Sequence, residues 1–170
     1  MSLAFMSVNV TQEISMLADQ LIKVIESRAE ELTRGAVKIL QSSSHTSSYH
    51  ELSPDRLHHW LFEVYHDLGL WLLKNTDQAI QARYDQLGKQ RCKQGIPLAE
   101  VLWALVLTKE HLRECIGTSM LADSALELHR EQEIYRLIGR FFDRAACYAA
   151  EAYEREASLQ RVDPVATMAR

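Results

Sequence analysis

Apolar residues recur along most of this chain at alternating steps of three and four, and that period predicts helices almost from end to end. The first helix is expected over about residues 11–40, where Ile14, Leu17, Leu21, Val24, Ile25, Leu32, Ala36 and Ile39 form one amphipathic stripe. A second is expected over residues 54–74, with Leu57, Trp60, Leu61, Val64, Leu68, Trp71 and Leu72 as a wide apolar face. The third, residues 76–94, is more polar. It turns Ile80, Tyr84, Leu87 and Arg91 inward and should lie across the surface of a bundle. The fourth, residues 97–116, is apolar nearly all round, which suits the centre of a fold or the boundary between two subunits. Residues 41–50, rich in serine and threonine, read as the one real loop, polar and flexible.

The last stretch, residues 122–161, carries Ile134, Ile138, Phe141, Ala145, Tyr148, Ala152, Arg155 and Leu159 at steps that average 3.5 residues. Held over more than three heptads, that is the seam of a coiled-coil contact. Ala145, Ala146, Ala149, Ala150 and Ala152 would let a neighbour come close. A helix of about 32 residues is ~48 Å long at 1.5 Å per residue, more than the compact part of such a domain can cover. The seam is therefore read as core up to Tyr148 and as an interface with another chain beyond it.

Composition strengthens the helical reading. Of 170 residues only six are glycine and three proline, where average usage would give about twenty. So few breakers exclude a sandwich, a barrel or any loop-rich fold. The few that occur mark boundaries. Ser53-Pro54 places a capping serine before a proline at the first helical position, and Gly95-Ile96-Pro97 ends one helix and starts the next. The expected fold is all-α: a single bundle of about five helices with a long C-terminal helix, formed by residues 1–170 as one domain with flexible ends at 1–10 and 162–170.

Charge and cysteine usage narrow the function. Net charge is −4, with 19 basic and 23 acidic residues interspersed, and the absence of a basic block argues against nucleic acid or an anionic membrane as partner. Cys92, Cys115 and Cys147 lie far apart without a CxxC spacing, as reduced core thiols of a cytoplasmic protein do. The longest wholly apolar run, residues 101–107, is far short of the ~20 residues that span a bilayer. The start of the chain lacks the basic and apolar regions of a signal peptide.

Several constellations could carry chemistry. His59, Glu63 and His66 share one helix face, and Glu63-x-x-His66 has the spacing found in di-iron bundles. At 100° per residue from Leu57 they point to roughly 200°, 240° and 180°, away from the apolar face and into solvent. No second Glu-x-x-His occurs. Trp103, Leu107, His111 and Cys115 form a row on the fourth helix, where His111 could ligate haem or share a metal with Cys115. A histidine packed at an interface and hydrogen-bonded there is the simpler reading. Arg28 interrupts the first apolar stripe and reads as a rim residue. Arg91, on an inward face, needs an acceptor, for which Glu100 or a bound anion could serve. No glycine-rich phosphate loop, paired-carboxylate cleft or cysteine–histidine nucleophile is found, so no catalytic residue, no cofactor and no enzyme are expected.

The segment Leu87-Gly88, Arg91, Gly95-Ile96-Pro97-Leu98 and Glu100 resembles the N-terminal sensory domain of stressosome co-antagonist proteins of the RsbR-D type. The motif-bearing part covers about residues 82–116. The resemblance implies an all-α, globin-like module without obligatory haem that dimerises and signals to a C-terminal output domain. Because the chain stops soon after the long helix, it is expected to be either a stand-alone sensor or an N-terminal fragment. Together these readings predict a bacterial signal-transduction domain, sensory or protein-interacting, that forms a homodimer and relays a signal through its last helix to an output domain or partner signalling protein. Arg91, Trp103, Leu107, His111 and Tyr148 are the candidate ligand or interface residues. The alternative is a haem- or metal-binding helical sensor or redox protein centred on His111.

Overall fold

The pattern of long amphipathic segments separated by few breakers folds as it implies. A computed structural model describes residue 19 and residues 22–74, 76–119 and 125–162. Among them the chain is all-α, with no strand. Five helices dominate: α1 (Ala29–Ser42), α2 (Pro54–His66), α3 (Asp77–Lys93), α4 (Leu98–Ser119) and α5 (Ala125–Val162). The expected stripe residues Ile14, Leu17 and Leu21 lie outside the described residues, as do the chain's first ten residues and residues 163–170.

Helix α1 follows a helical segment, residues 22–27, from which a turn at Arg28 separates it. Ile22, Ile25, Ala29, Leu32, Ala36, Val37 and Leu40 are buried along one side. Val24, which the stripe includes, stands exposed on its edge. Arg28 points to the rim and pairs with Glu31 at 3.0 Å. α2 runs antiparallel to α1, as the pairs Glu26–Gly69, Glu30–His58 and Gln41–Leu52 show. Pro54 takes the first helical position as expected, but the Ser53 side chain makes no capping bond; its carbonyl instead accepts the N–H groups of Arg56 and Leu57.

Two segments depart from expectation. The second helix does not run unbroken to Lys74: it turns at Asp67 and closes as a wide π turn, Leu70–Lys74. The N–H of Gly69 donates to Glu26 Oε1 at 2.8 Å, tying this break to the segment before α1. The serine-rich stretch is not a flexible loop either. Ser44–His50 is a short 3-10 helix. The Thr46 hydroxyl, fully buried, donates to the carbonyl of Leu40 at 2.8 Å, and Ser43 Oγ accepts the N–H of His45. Its hydroxyls do the work that a hydrophobic stripe does elsewhere, by binding nearby backbone.

Helix α3 lies alongside α5 and runs in the same direction, since Asp77 pairs with Arg144, Asp85 with Arg155 and Lys93 with Glu156. Its inner face is the expected one: Ile80, Tyr84, Leu87 and Arg91 are all buried. α4 runs antiparallel to α5, through Gly117–Tyr135, Lys109–Asp143 and Ile96–Tyr153. The seam of α5 is covered by its own chain further than expected. Ile134, Ile138, Phe141, Ala145 and Ala152 are buried, Tyr148 is half-buried, and Arg155, though exposed, turns to Asp85 on α3. Leu159, 62% exposed, stands uncovered at the end of the seam. The alanines admit α3 of the same chain, so close approach there does not require a second subunit. Of the three cysteines only Cys92 is a core thiol; Cys115 is half-buried and Cys147 exposed.

Candidate functional site

The corner between α3 and α4 is built from the motif residues. Gly95 has φ +72°, the left-handed conformation that glycine adopts without strain. The N–H of Gly95 donates to the Cys92 carbonyl at 2.9 Å and that of Ile96 to the Arg91 carbonyl at 3.1 Å, a Schellman closure. The buried Ile96 also accepts the Tyr153 hydroxyl at its carbonyl, 2.9 Å away, which fastens the corner to α5. The Pro97 carbonyl then receives the N–H groups of Glu100 and Val101 and starts α4.

Glu100 sits in the first turn of α4, where free N–H groups favour a carboxylate. It faces the 3-10 segment rather than Arg91: Oε2 accepts the Ser48 N–H at 2.7 Å and Oε1 the Ser48 hydroxyl at 3.1 Å. The expected Arg91–Glu100 partnership is therefore absent. Arg91 is only 6% exposed. One Nη donates to Gln94 Oε1 at 2.8 Å, and the guanidinium carbon lies 5.3 Å from the centre of the Tyr49 ring. Its Nε is buried without an acceptor. Burial pushes the Tyr49 hydroxyl pKa up, and the Arg91 charge beside it works the other way.

In front of Arg91 a cavity of about 460 Å³ opens between α2 and α3. Leu52, Leu57, Trp60 and Leu87 give it apolar walls, and Arg83 lines it from the same helix as Arg91, about two turns earlier. Arg83 is already engaged, donating to Glu63 Oε2 at 2.8 Å and to the Trp60 carbonyl at 3.0 Å. Its Nε and the Trp60 indole N–H nonetheless lack acceptors.

The row on α4 divides. Trp103 is 40% exposed and stacks on His45 with ring centres 4.1 Å apart. Leu107 is half-buried against the core. His111 meets α1: its Nε2 donates to the Leu32 carbonyl at 3.1 Å, and Nδ1 lies 3.8 Å from Cys115 Sγ. A Cβ on Gly35 would stand 2.7 Å from that Nε2. The ring thus turns its Nε2 edge to α1, and that nitrogen is occupied by a backbone carbonyl rather than free to ligate haem. Burial pushes the Cys115 thiol pKa up, which keeps it protonated and a poor metal ligand. His59 and His66 are exposed as expected, but Glu63 is half-buried and turns into the cleft toward Arg83; His59 pairs with Glu63 at 3.5 Å and His66 with Asp67 at 2.9 Å. Among the described residues no three histidine, cysteine or acidic side chains are placed to share a metal ion. Nor is any of their helices long and apolar enough to cross a membrane.

The structure therefore gathers part of the expected set. Arg91, Glu100 and Trp103 converge on the 3-10 segment through Tyr49, Ser48 and His45. Leu107 and His111 lie farther along α4, and Tyr148 packs half-buried on the core from α5. Sequence reasoning missed Ser48 and Tyr49, whose only signal was one aromatic in a run of serines. It also missed Arg83 as the partner of Trp60, and Gly35 as the space for His111.

Residues 30–163 match the family model described as the RsbT co-antagonist protein rsbRD N-terminal domain. No curated protein and no solved structure matches the chain.

Proposed function

The chain belongs to the RsbT co-antagonist RsbRD N-terminal domain family, a non-catalytic component of bacterial stress signalling, and from that premise we propose that it is a sensory or protein-interaction domain that dimerises and relays a change of helix packing through α5. The family match over residues 30–163 carries this reading. In it, the chain is one cytoplasmic domain, and its partners are a second copy of itself and an output domain or a signalling protein of the RsbT system.

The geometry supplies a route for the relay. At Gly88 the backbones of α3 and α5 touch, so α3 cannot move without moving α5. The corner adds a second tie through Ile96 and Tyr153. α5 has 38 residues, about 57 Å at 1.5 Å per residue, and its own chain leaves none of residues 153–161 fully buried. A ligand or partner that prefers one placement of α3 would thereby bias the exposed end of α5, as a two-state switch requires.

Light scattering tests the dimer. The expected mass is twice 19.5 kDa, and Leu159→Glu, placing a charge on the exposed end of the seam, should shift the protein toward monomer. A wild-type chain that stays monomeric at high micromolar concentration overturns the dimer and with it the seam as its interface.

A further inference from the structure

We propose that the cleft between α2 and α3 binds a small organic anion, a carboxylate or phosphate ester with an apolar body, through Arg91. The binding site stands on its own geometry; only its role as the input of the relay rests on the sensory reading above.

Arginine keeps its charge inside proteins, and a buried charge is costly unless an opposite charge accompanies it. Arg91 is more than nine-tenths buried, and its partners are all neutral: the Gln94 amide, and the ring and hydroxyl of Tyr49. Glu100, the nearby carboxylate that the sequence offers, is committed to Ser48. Of the two carboxylates lining the cleft, Glu63 is committed to Arg83 and His59, and Asp55 is exposed at the start of α2. Three arginines (Arg56, Arg83 and Arg91) thus face two acids.

The neutral donors point the same way. Arg91 Nε, Arg83 Nε and Trp60 Nε1 are all buried without an acceptor, and all three residues line this one cavity, Arg83 lying also against the Trp71 ring and the Tyr84 hydroxyl. Buried donors of native proteins are nearly always paired, so three orphans around one cleft call for an acceptor between α2 and α3. The cavity, about 460 Å³, has the size of a metabolite site, and its apolar walls set beside a few convergent polar groups are the usual composition of one. A guanidinium edge matches a carboxylate or phosphate in two parallel hydrogen bonds. The orphan nitrogens are themselves buried although their residues line the cavity, so the guanidinium would have to turn to reach its ligand, and binding would draw α3 toward α2. Arg91 is one turn from Gly88, where α3 meets α5, and that motion would reach the long helix directly.

The test uses the full chain with sodium benzoate, phenyl phosphate and inorganic phosphate as probes, and benzyl alcohol as the neutral control, at matched ionic strength. Calorimetric titration should show one saturable site for at least one of the two phenyl anions. Their ranking distinguishes a carboxylate from a phosphate ligand. At about ten times Kd the melting temperature should rise by about 3–5 °C, and benzyl alcohol should leave it unchanged. Arg91→Met should lower affinity by about 30-fold or more, since it removes a charge-assisted bidentate contact. Gln90 is exposed at the cleft, so its variants leave the core intact. Gln90→Glu should weaken binding several-fold and Gln90→Lys strengthen it. No saturable binding of either phenyl anion at millimolar concentration, or binding that none of these variants alters, overturns the proposal. Inorganic phosphate binding as tightly as the phenyl anions overturns its organic part. Light scattering on the same samples separates the two readings: a dimer that binds no anion leaves the sensory reading in place, and an anion-binding monomer does the reverse.

Discussion

A Cβ placed on Gly88 would overlap the carbonyl oxygen of Ala149, and would also lie 3.0 Å from the Ala149 carbonyl carbon and 3.1 Å from the Tyr153 nitrogen. The neighbours are backbone atoms of α5, which cannot swing aside as a side chain does. Two effects compete in Gly88→Ala. Helix propensity favours alanine by about 1 kcal/mol, whereas overpacking costs about 1–3 kcal/mol, and more where backbone must shift. The clash wins. The expected outcome is a net loss of about 1–3 kcal/mol, read as a fall of roughly 2–12 °C in melting temperature for a chain of this size. An unchanged or raised melting temperature would show that α3 and α5 are not held backbone to backbone.

A second glycine contact gives a prediction of opposite sign in two backgrounds. Gly35→Ala pushes against His111 Nε2 and disturbs its hydrogen bond to the Leu32 carbonyl. The obstacle is the far end of one side chain, so the expected cost is modest, below about 1 kcal/mol after the gain in helix propensity. In the His111→Ala background the obstacle is gone, and Gly35→Ala should stabilise by roughly 0.5–1 kcal/mol. Denaturant unfolding of the four proteins measures the coupling between the two positions. Strict additivity would mean that the two residues do not touch.

What the sequence revealed and what it hid follow from the range over which each signal acts. The corner at Gly95-Ile96-Pro97 was legible because a left-handed residue and a missing N–H are properties of single residues. The inner face of α3, including Arg91, was legible because burial repeats with the turn of the helix. The seam of α5 was legible as a face, but its period cannot say which helix covers it, and α3 of the same chain covers more of it than a second subunit would need to. The 3-10 segment was hidden because its order comes from hydroxyl-to-backbone bonds, which in composition look like a loop. The cleft was hidden for a different reason. Trp60 and Arg83 are 23 residues apart, and nothing local in either helix announces that α2 and α3 will face each other.

Stability at high pH should fall steeply. Burial raises the pKa of the Tyr65 and Tyr84 hydroxyls far above the usual tyrosine value of 10, and it pushes Tyr135 up to about 12, with Glu131 adding to the effect. Each folded phenol keeps a proton that the unfolded chain has lost once pH exceeds 10. The folded state then binds more protons, and stability declines as pH rises. Below pH 10 both states are protonated and the contribution is fully present. For the two fully buried tyrosines the slope is about 3 kcal/mol per pH unit above 10. Tyrosinate absorbance followed together with far-ultraviolet circular dichroism should show these ionisations arriving with loss of helix. Smooth titration of all tyrosines with the helix signal intact would contradict their burial.

Glu100 ties the start of α4 to the 3-10 segment, and its removal should loosen that segment selectively. Its carboxylate takes both the N–H and the hydroxyl of Ser48. The next residue, Tyr49, is the platform beneath Arg91, and His45 in the same segment is the platform beneath Trp103. Hydrogen bonds to a charged acceptor contribute about 1.5–3 kcal/mol each, but Ser48 is only half-buried and water can replace part of the interaction. The expected loss for Glu100→Ala is therefore about 1–2 kcal/mol, and Glu100→Gln, which keeps an acceptor oxygen, should recover about half of it. Amide hydrogen exchange locates the effect. Protection should drop at Ser48 and through residues 44–50 in Glu100→Ala, while Ile134, Ile138 and their neighbours on α5 keep theirs. Because the Trp103–His45 stack depends on the same segment, tryptophan emission should move toward that of a solvated indole in Glu100→Ala and far less in Glu100→Gln. Equal loss of protection across α5 and the 3-10 segment would mean that Glu100 supports the whole bundle and that the segment is not held separately. Unchanged exchange at Ser48 would mean that other bonds, such as Thr46 to Leu40, hold the segment without Glu100.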